Sequence, residues 1–82
     1  MPSALWPRLQ AILLAHSPLP RATILPADRL IEDLGFDSLA LARTVVALEA
    51  EFATELPPER LHELRSATAG ELTQLLEEAL AA

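Results

Sequence analysis

The 82-residue chain has no cysteine. That excludes a disulfide framework, a thiolate zinc site and a cysteine nucleophile, so any thiol chemistry has to arrive on a cofactor. It has no lysine either, and six arginines face twelve acids for a net charge of −6, the wrong balance for gripping a phosphate backbone. Aromatic residues make up only 4%, and β-branched, aromatic-rich runs of the kind that build strands are missing. The two histidines, His16 and His62, are far apart and lack metal-ligand spacing. No run of about 20 apolar residues exists, so nothing spans a membrane as a helix. The apolar N-terminal segment is interrupted by Pro7, Gln10 and His16 and has no positively charged start. It reads as a folded helix rather than a secretory signal, and the cytoplasm is the expected compartment.

What is present is leucine and alanine in quantity, both strong helix formers. Residues 1–82 are expected to form a single all-α domain. A domain of this size buries only about 60–65% of the surface its unfolded chain exposes, which leaves no room for a deep catalytic cleft beside a core. The charge is unevenly spread. Residues 1–27 hold Arg8 and Arg21 and no acid, while all twelve acids follow from Asp28 onward against four arginines. The later part of the chain is therefore strongly negative and suited to basic protein surfaces.

Leu5, Leu9, Ile12 and Leu13 recur at helical spacing and predict a first helix from about Ala4 to His16, with Ser3 as its N-cap and Pro7 in a first turn that does not need its amide. If the helix starts only at Pro7, Trp6 lies outside it. Ser17-Pro18-Leu19-Pro20 ends it. Residues 17–36 then form a long connection stiffened by Pro18, Pro20 and Pro26. Its Ile24, Leu25, Leu30, Ile31 and Leu34 call for burial, with a helical turn near Arg29–Leu34 stopped by Gly35. A second helix runs from about Ser38 to Phe52 behind Asp37 as N-cap, with Leu41, Val45, Leu48 and Phe52 on its core face. Leu39, Arg43, Val46 and Ala50 occupy the opposite side. That side is too apolar for an ordinary surface helix, and it reads either as a contact face or as the usual scatter of exposed apolar residues. A short third helix over Glu59–Leu64 turns Leu61 and Leu64 inward. Thr68-Ala69-Gly70-Glu71 reads as a capping box for a last helix to about Leu80, with Leu72, Leu75, Leu76, Ala79 and Leu80 on one face. Three longer helices and one short one make a four-helix bundle with a long loop between the first two helices.

The chemistry points to Leu34-Gly35-Phe36-Asp37-Ser38-Leu39. A serine in the first turn of a helix presents its hydroxyl at the positive end of the helix dipole, where an attached phosphate is favoured. No histidine or lysine stands near it in sequence to activate it, so Ser38 reads as an acceptor of a group rather than a self-driven nucleophile. The plainer alternative is that Asp37 and Ser38 only cap the helix.

The run Glu32-Asp33-Leu34-Gly35-Phe36-Asp37-Ser38-Leu39, followed by Ala47-Leu48-Glu49-Ala50-Glu51-Phe52 and Glu55-Leu56-Pro57, closely resembles the acyl carrier protein family over about residues 24–80. The resemblance implies a free-standing acyl carrier of the four-helix type. Its Ser38 would receive 4′-phosphopantetheine from coenzyme A through a magnesium-dependent phosphopantetheinyl transferase, and the arm would hold acyl intermediates as thioesters. Asp37 would present Ser38 to the transferase. Leu39, Arg43, Val46, Glu49 and Ala50 would dock partners such as ketosynthases, acyltransferases or ligases. The cleft between the second and the short third helix would shelter the acyl chain. The chain would be a monomer and not itself an enzyme. Carriers of fatty acid synthesis usually place acids soon after the serine. Here Ala40 and Arg43 stand there, which weakens electrostatic docking near the arm and favours apolar contact through Leu39 and Val46. The pathway implied is fatty acid-like, or polyketide and other specialised biosynthesis.

Three rivals compete. A peptidyl or aminoacyl carrier of non-ribosomal peptide assembly shares the fold and the arm, but more often shows a second glycine where Phe36 stands. A Gly-Asp-Ser-Leu type of esterase needs a histidine base and a larger α/β scaffold, and only His62 lies downstream here. An interaction module would keep the bundle and never accept the arm.

Overall fold

A computed structural model describes residues 5–19 and 22–81. The expected cap Ser3 and the helix start Ala4, along with Pro20 and Arg21, lie outside the described residues. The elements are α1 (Leu5–His16), α2 (Ser38–Phe52), α3 (Pro58–Leu61), which runs on into a 3-10 turn at His62–Ser66, and α4 (Ala69–Ala81). Among the described residues there is no strand, only an isolated bridge between Arg29 and Thr68.

Each helix follows from its apolar spacing. In α1 Leu9 and Leu13 are fully buried, and Leu5, Trp6 and Ile12 pack half-buried on the same core. Trp6 therefore lies inside the helix, and Pro7 falls in its first turn, where the missing amide has no partner to lose. Leu41, Val45 and Leu48 of α2 are buried with Leu72, Leu75 and Leu76 of α4. Phe52 is half-buried, with the Arg8 guanidinium 4.3 Å above its ring centroid. Arg8 Nη2 also pairs with Glu51 Oε2 at 2.8 Å, tying the start of α1 to the end of α2. The buried hydroxyls of Thr44 and Thr73 donate to the carbonyls one turn back, Ala40 and Ala69, so neither is left unsatisfied.

The short helix differs from expectation. The α-helical part covers only Pro58–Leu61, begun by a proline at its first position where the fixed φ suits a helix, and the next five residues tighten to 3-10 geometry. Leu64 is buried from that turn and Leu61 half-buried. Arg60 bridges Glu63 and Glu78 and so pins α3 to α4. The hydrogen bond to Glu78, and secondarily that to Glu63, raises its pKa above the ordinary arginine value.

The long connection is held down by backbone. Leu30 N donates to Ala67 O, Ala69 N to Asp28 O and Gly70 N to Pro26 O. The last two are amides of α4's first turn, which a helix cannot satisfy internally, so the loop supplies their acceptors. A Cβ on Gly70 would sit 3.2 Å from Pro26 O, so glycine permits this approach. Ile24, Leu30 and Leu34 are fully buried as expected, whereas Leu25 is 57% exposed. Leu25 opens a surface turn in which its carbonyl accepts from Asp28 N and its amide donates to Asp28 Oδ2, so the inward place falls to Ile24. Leu80 is likewise exposed instead of facing the core, because none of the described elements covers it in the last turn of α4.

The capping box forms as expected. Thr68 Oγ1 accepts from Glu71 N at 3.1 Å and Glu71 Oε1 from Thr68 N at 2.8 Å. Thr68→Ala should lower the unfolding free energy by about 1 kcal/mol, read from the denaturation midpoint.

Candidate functional site at the head of the second helix

The site begins in the turn before α2. Asp33 Oδ2 accepts from Arg29 N at 2.7 Å and Arg29 O accepts from Asp33 N and Leu34 N, which closes a helical turn over Arg29–Leu34. Gly35 ends it with φ +77°, its amide donating to Ile31 O, a left-handed position that favours glycine. The side chain of Leu19 covers Gly35 closely, and an added Cβ would lie 2.7 Å from Leu19 Cδ1. Phe36 then turns inward and is 1% exposed. With Phe36 anchored, Asp37 is extended at φ −108°, ψ −178°, and its Oδ1 accepts from Ala40 N at 2.7 Å. The sequence places both Gly35 and Asp37 correctly. Asp37 is the N-cap and Ser38 the first helical residue.

Ser38 is exposed. Among the described residues, the amides of Ser38 and Leu39 donate to no protein group, because Asp37 caps Ala40 and the first intrahelical bond runs from Leu41 N to Asp37 O. The helix thus presents a hydroxyl beside two free N–H groups, as an anion attached there requires. The hydroxyl accepts a 3.1 Å hydrogen bond from Arg65 Nη2, at the end of the 3-10 turn. A guanidinium stays protonated and cannot take the serine proton, so this partner does not activate Ser38 as a nucleophile.

Beside Ser38 opens a groove of about 460 Å³ between α2 and α3, lined among others by Leu41, Val45, Val46, Leu56, Leu61 and Leu64. It lies where the family resemblance puts the shelter for an acyl chain, and its wall is mainly apolar side chains. His62 and Arg65 stand at its lining with Ser38.

The remaining predicted site residues are distributed along α2. Leu39 and Val46 are 61% and 64% exposed, and Arg43 and Ala50 are exposed with them. Glu49 differs from these four. It is half-buried and lines the groove, and its Oε2 accepts from Leu56 N at 2.9 Å, which holds the loop after α2 in place as a groove wall. Sequence reasoning missed Arg65 altogether. It stands 27 residues from Ser38, with no periodic relation to it, and no local signal joins the two.

The family model described as "phosphopantetheine attachment site" matches residues 8–78. The chain belongs to the acyl carrier protein family. It is 31% identical over 61 residues to the acyl carrier protein of Helicobacter pylori (strain G27), covering 74% of this chain and 78% of that one. It is 36% identical over 58 residues to the acyl carrier protein AcpXL of Rhizobium etli, covering 71% of this chain and 63% of that one. The cofactor of a carrier of this family is covalently attached 4′-phosphopantetheine, and the family works as a carrier alongside biosynthetic enzymes and a phosphopantetheinyl transferase. The residues present fit that group: an exposed hydroxyl with amides free among the described residues at a helix start, and an apolar groove beside it. No helix among the described residues is long and apolar enough to cross a membrane.

Proposed function

We propose that Ser38 is the point of attachment and that this carrier holds acyl intermediates for fatty acid-like or polyketide and other specialised biosynthesis in the cytoplasm, without catalysing a reaction itself. The supporting observation is the exposed Ser38 hydroxyl at the first position of α2, opening onto the apolar groove. In the loading step the Ser38 oxygen forms a bond to the phosphorus that bears pantetheine in coenzyme A. The pyrophosphate P–O bond breaks, adenosine 3′,5′-bisphosphate leaves, and the serine proton goes to a base supplied by the transferase. When bound, the arm supplies a terminal thiol that carries acyl groups as thioesters. The chain's own residues give the arm a fixed origin, with Asp37 setting the helix start and Phe36 anchoring the turn. The groove wall of Leu41, Val45, Leu56, Leu61 and Leu64 favours an apolar cargo over an aminoacyl one.

Partners meet the exposed face of α2. Near the arm that face offers Leu39 and Arg43, with Val46 and Ala50 further along, and between the capping Asp37 and Glu49 it carries no carboxylate. Apolar contact therefore leads there, and charge steers from the acid-rich remainder. Leu39→Arg should lower kcat/KM for a broad-specificity phosphopantetheinyl transferase about tenfold, the scale for removing an apolar anchor from the centre of an interface. Attachment itself is tested by the intact mass of the protein after incubation with coenzyme A, magnesium and that transferase. The mass of one arm is expected to be gained. An unchanged mass, while a control carrier is converted, overturns the proposal.

A further inference from the structure

Three of the arginines outside the site are engaged by carboxylates: Arg8 with Glu51, Arg29 with Glu32 and Asp33, and Arg60 with Glu63 and Glu78. Arg65 is not. In the acid-rich part of the chain, its guanidinium pairs with no carboxylate among the described residues and donates instead to the neutral Ser38 hydroxyl at 3.1 Å. A hydroxyl is a weak partner for a full positive charge. The strong partners of a guanidinium are planar or tetrahedral anions that accept two parallel N–H bonds, carboxylate and phosphate above all.

We infer that Arg65 is a phosphate-binding residue whose ligand is the phosphodiester formed on Ser38. This rests on Ser38 being the attachment point. Esterification removes the Ser38 proton and places a monoanion, with two non-bridging oxygens, one bond beyond the oxygen that Arg65 already contacts. The guanidinium fork then pairs with those oxygens from one side, while the free amides of Ser38 and Leu39 face them from the helix. The consequence is directional. Arg65 lies on the groove side of Ser38, in the lining it shares with His62 and Leu61. A phosphodiester pinned there starts the arm toward the groove instead of leaving it free to sweep solvent, and a partner enzyme has to break this ion pair to draw the cargo out.

The test compares thermal unfolding of unmodified and arm-bearing protein for the wild type, Arg65→Gln and Arg65→Lys, each loaded by the same transferase and checked by intact mass. Loading is expected to raise the wild-type midpoint by about 2–4 °C, the scale of one partly exposed charge-assisted contact in a domain this small. The rise should vanish in Arg65→Gln and return in part with lysine, which keeps the charge but not the fork. Because the unmodified variants are measured too, any loss of stability unrelated to phosphate cancels. An equal rise in wild type and Arg65→Gln overturns the role of Arg65 and leaves the attachment reading standing. So does a failure of Arg65→Gln alone to gain the arm, since Arg65 would then serve the transferase. If the wild type also gains no mass, the attachment reading itself has failed.

Discussion

Phe36→Ala is expected to lower the unfolding free energy by about 3–5 kcal/mol, which is the range for emptying a buried aromatic site. A domain of this length has only about 4–12 kcal/mol in total, so the substitution removes a large share of it. Phe36 is 1% exposed and is the one aromatic among the described buried core residues, which are mainly leucine. It also stands two residues before Ser38, between the left-handed Gly35 and the capping Asp37. The cavity is therefore made at the joint that fixes where α2 begins. Equilibrium denaturation should show the loss as a lower midpoint. The neighbouring Leu39→Ala should stay within about 0.5 kcal/mol of wild type, because that side chain is mostly in solvent. A small effect at Phe36 would mean that the long connection, and not this side chain, holds the helix head.

Ser38→Ala should abolish loading completely while leaving the fold intact. The hydroxyl is exposed, and its side-chain partner, Arg65, is exposed too, so removing their hydrogen bond should change stability by no more than about 0.5 kcal/mol. Intact mass after incubation with coenzyme A and the transferase should show no added arm, and circular dichroism and the denaturation midpoint should match the wild type. Other serines provide the internal control. Ser17 is at the end of α1, with its Oγ donating to Leu19 O, and Ser66 is at the end of the 3-10 turn. Neither heads a helix. If the Ser38→Ala protein still gains the mass of an arm, another serine is the acceptor, and the site has been assigned to the wrong end of the molecule.

Interactions between residues three or four positions apart could be read directly from the order of the amino acids. Apolar spacing gave α1, α2 and α4 their extents and, apart from Leu80, their core faces. Asp37 reaching Ala40, Thr68 and Glu71 exchanging hydrogen bonds, and Gly35 closing the Arg29–Leu34 turn are all local interactions that residue type and offset are enough to specify. The position of Ser38 at the head of a helix belongs to the same class, which is why the candidate site was legible from residue order. Contacts between residues far apart in the chain were not. The choice of Ile24 over Leu25 for the core depends on which way the loop lies across α4. The half-buried Glu49, carrying Leu56 N, depends on how the chain turns after α2. The meeting of Arg65 with Ser38 depends on where the 3-10 turn lands beside α2. Periodicity fixes which face of each helix is apolar. It does not fix the packing that brings two faces, and the polar groups at their rims, to one place.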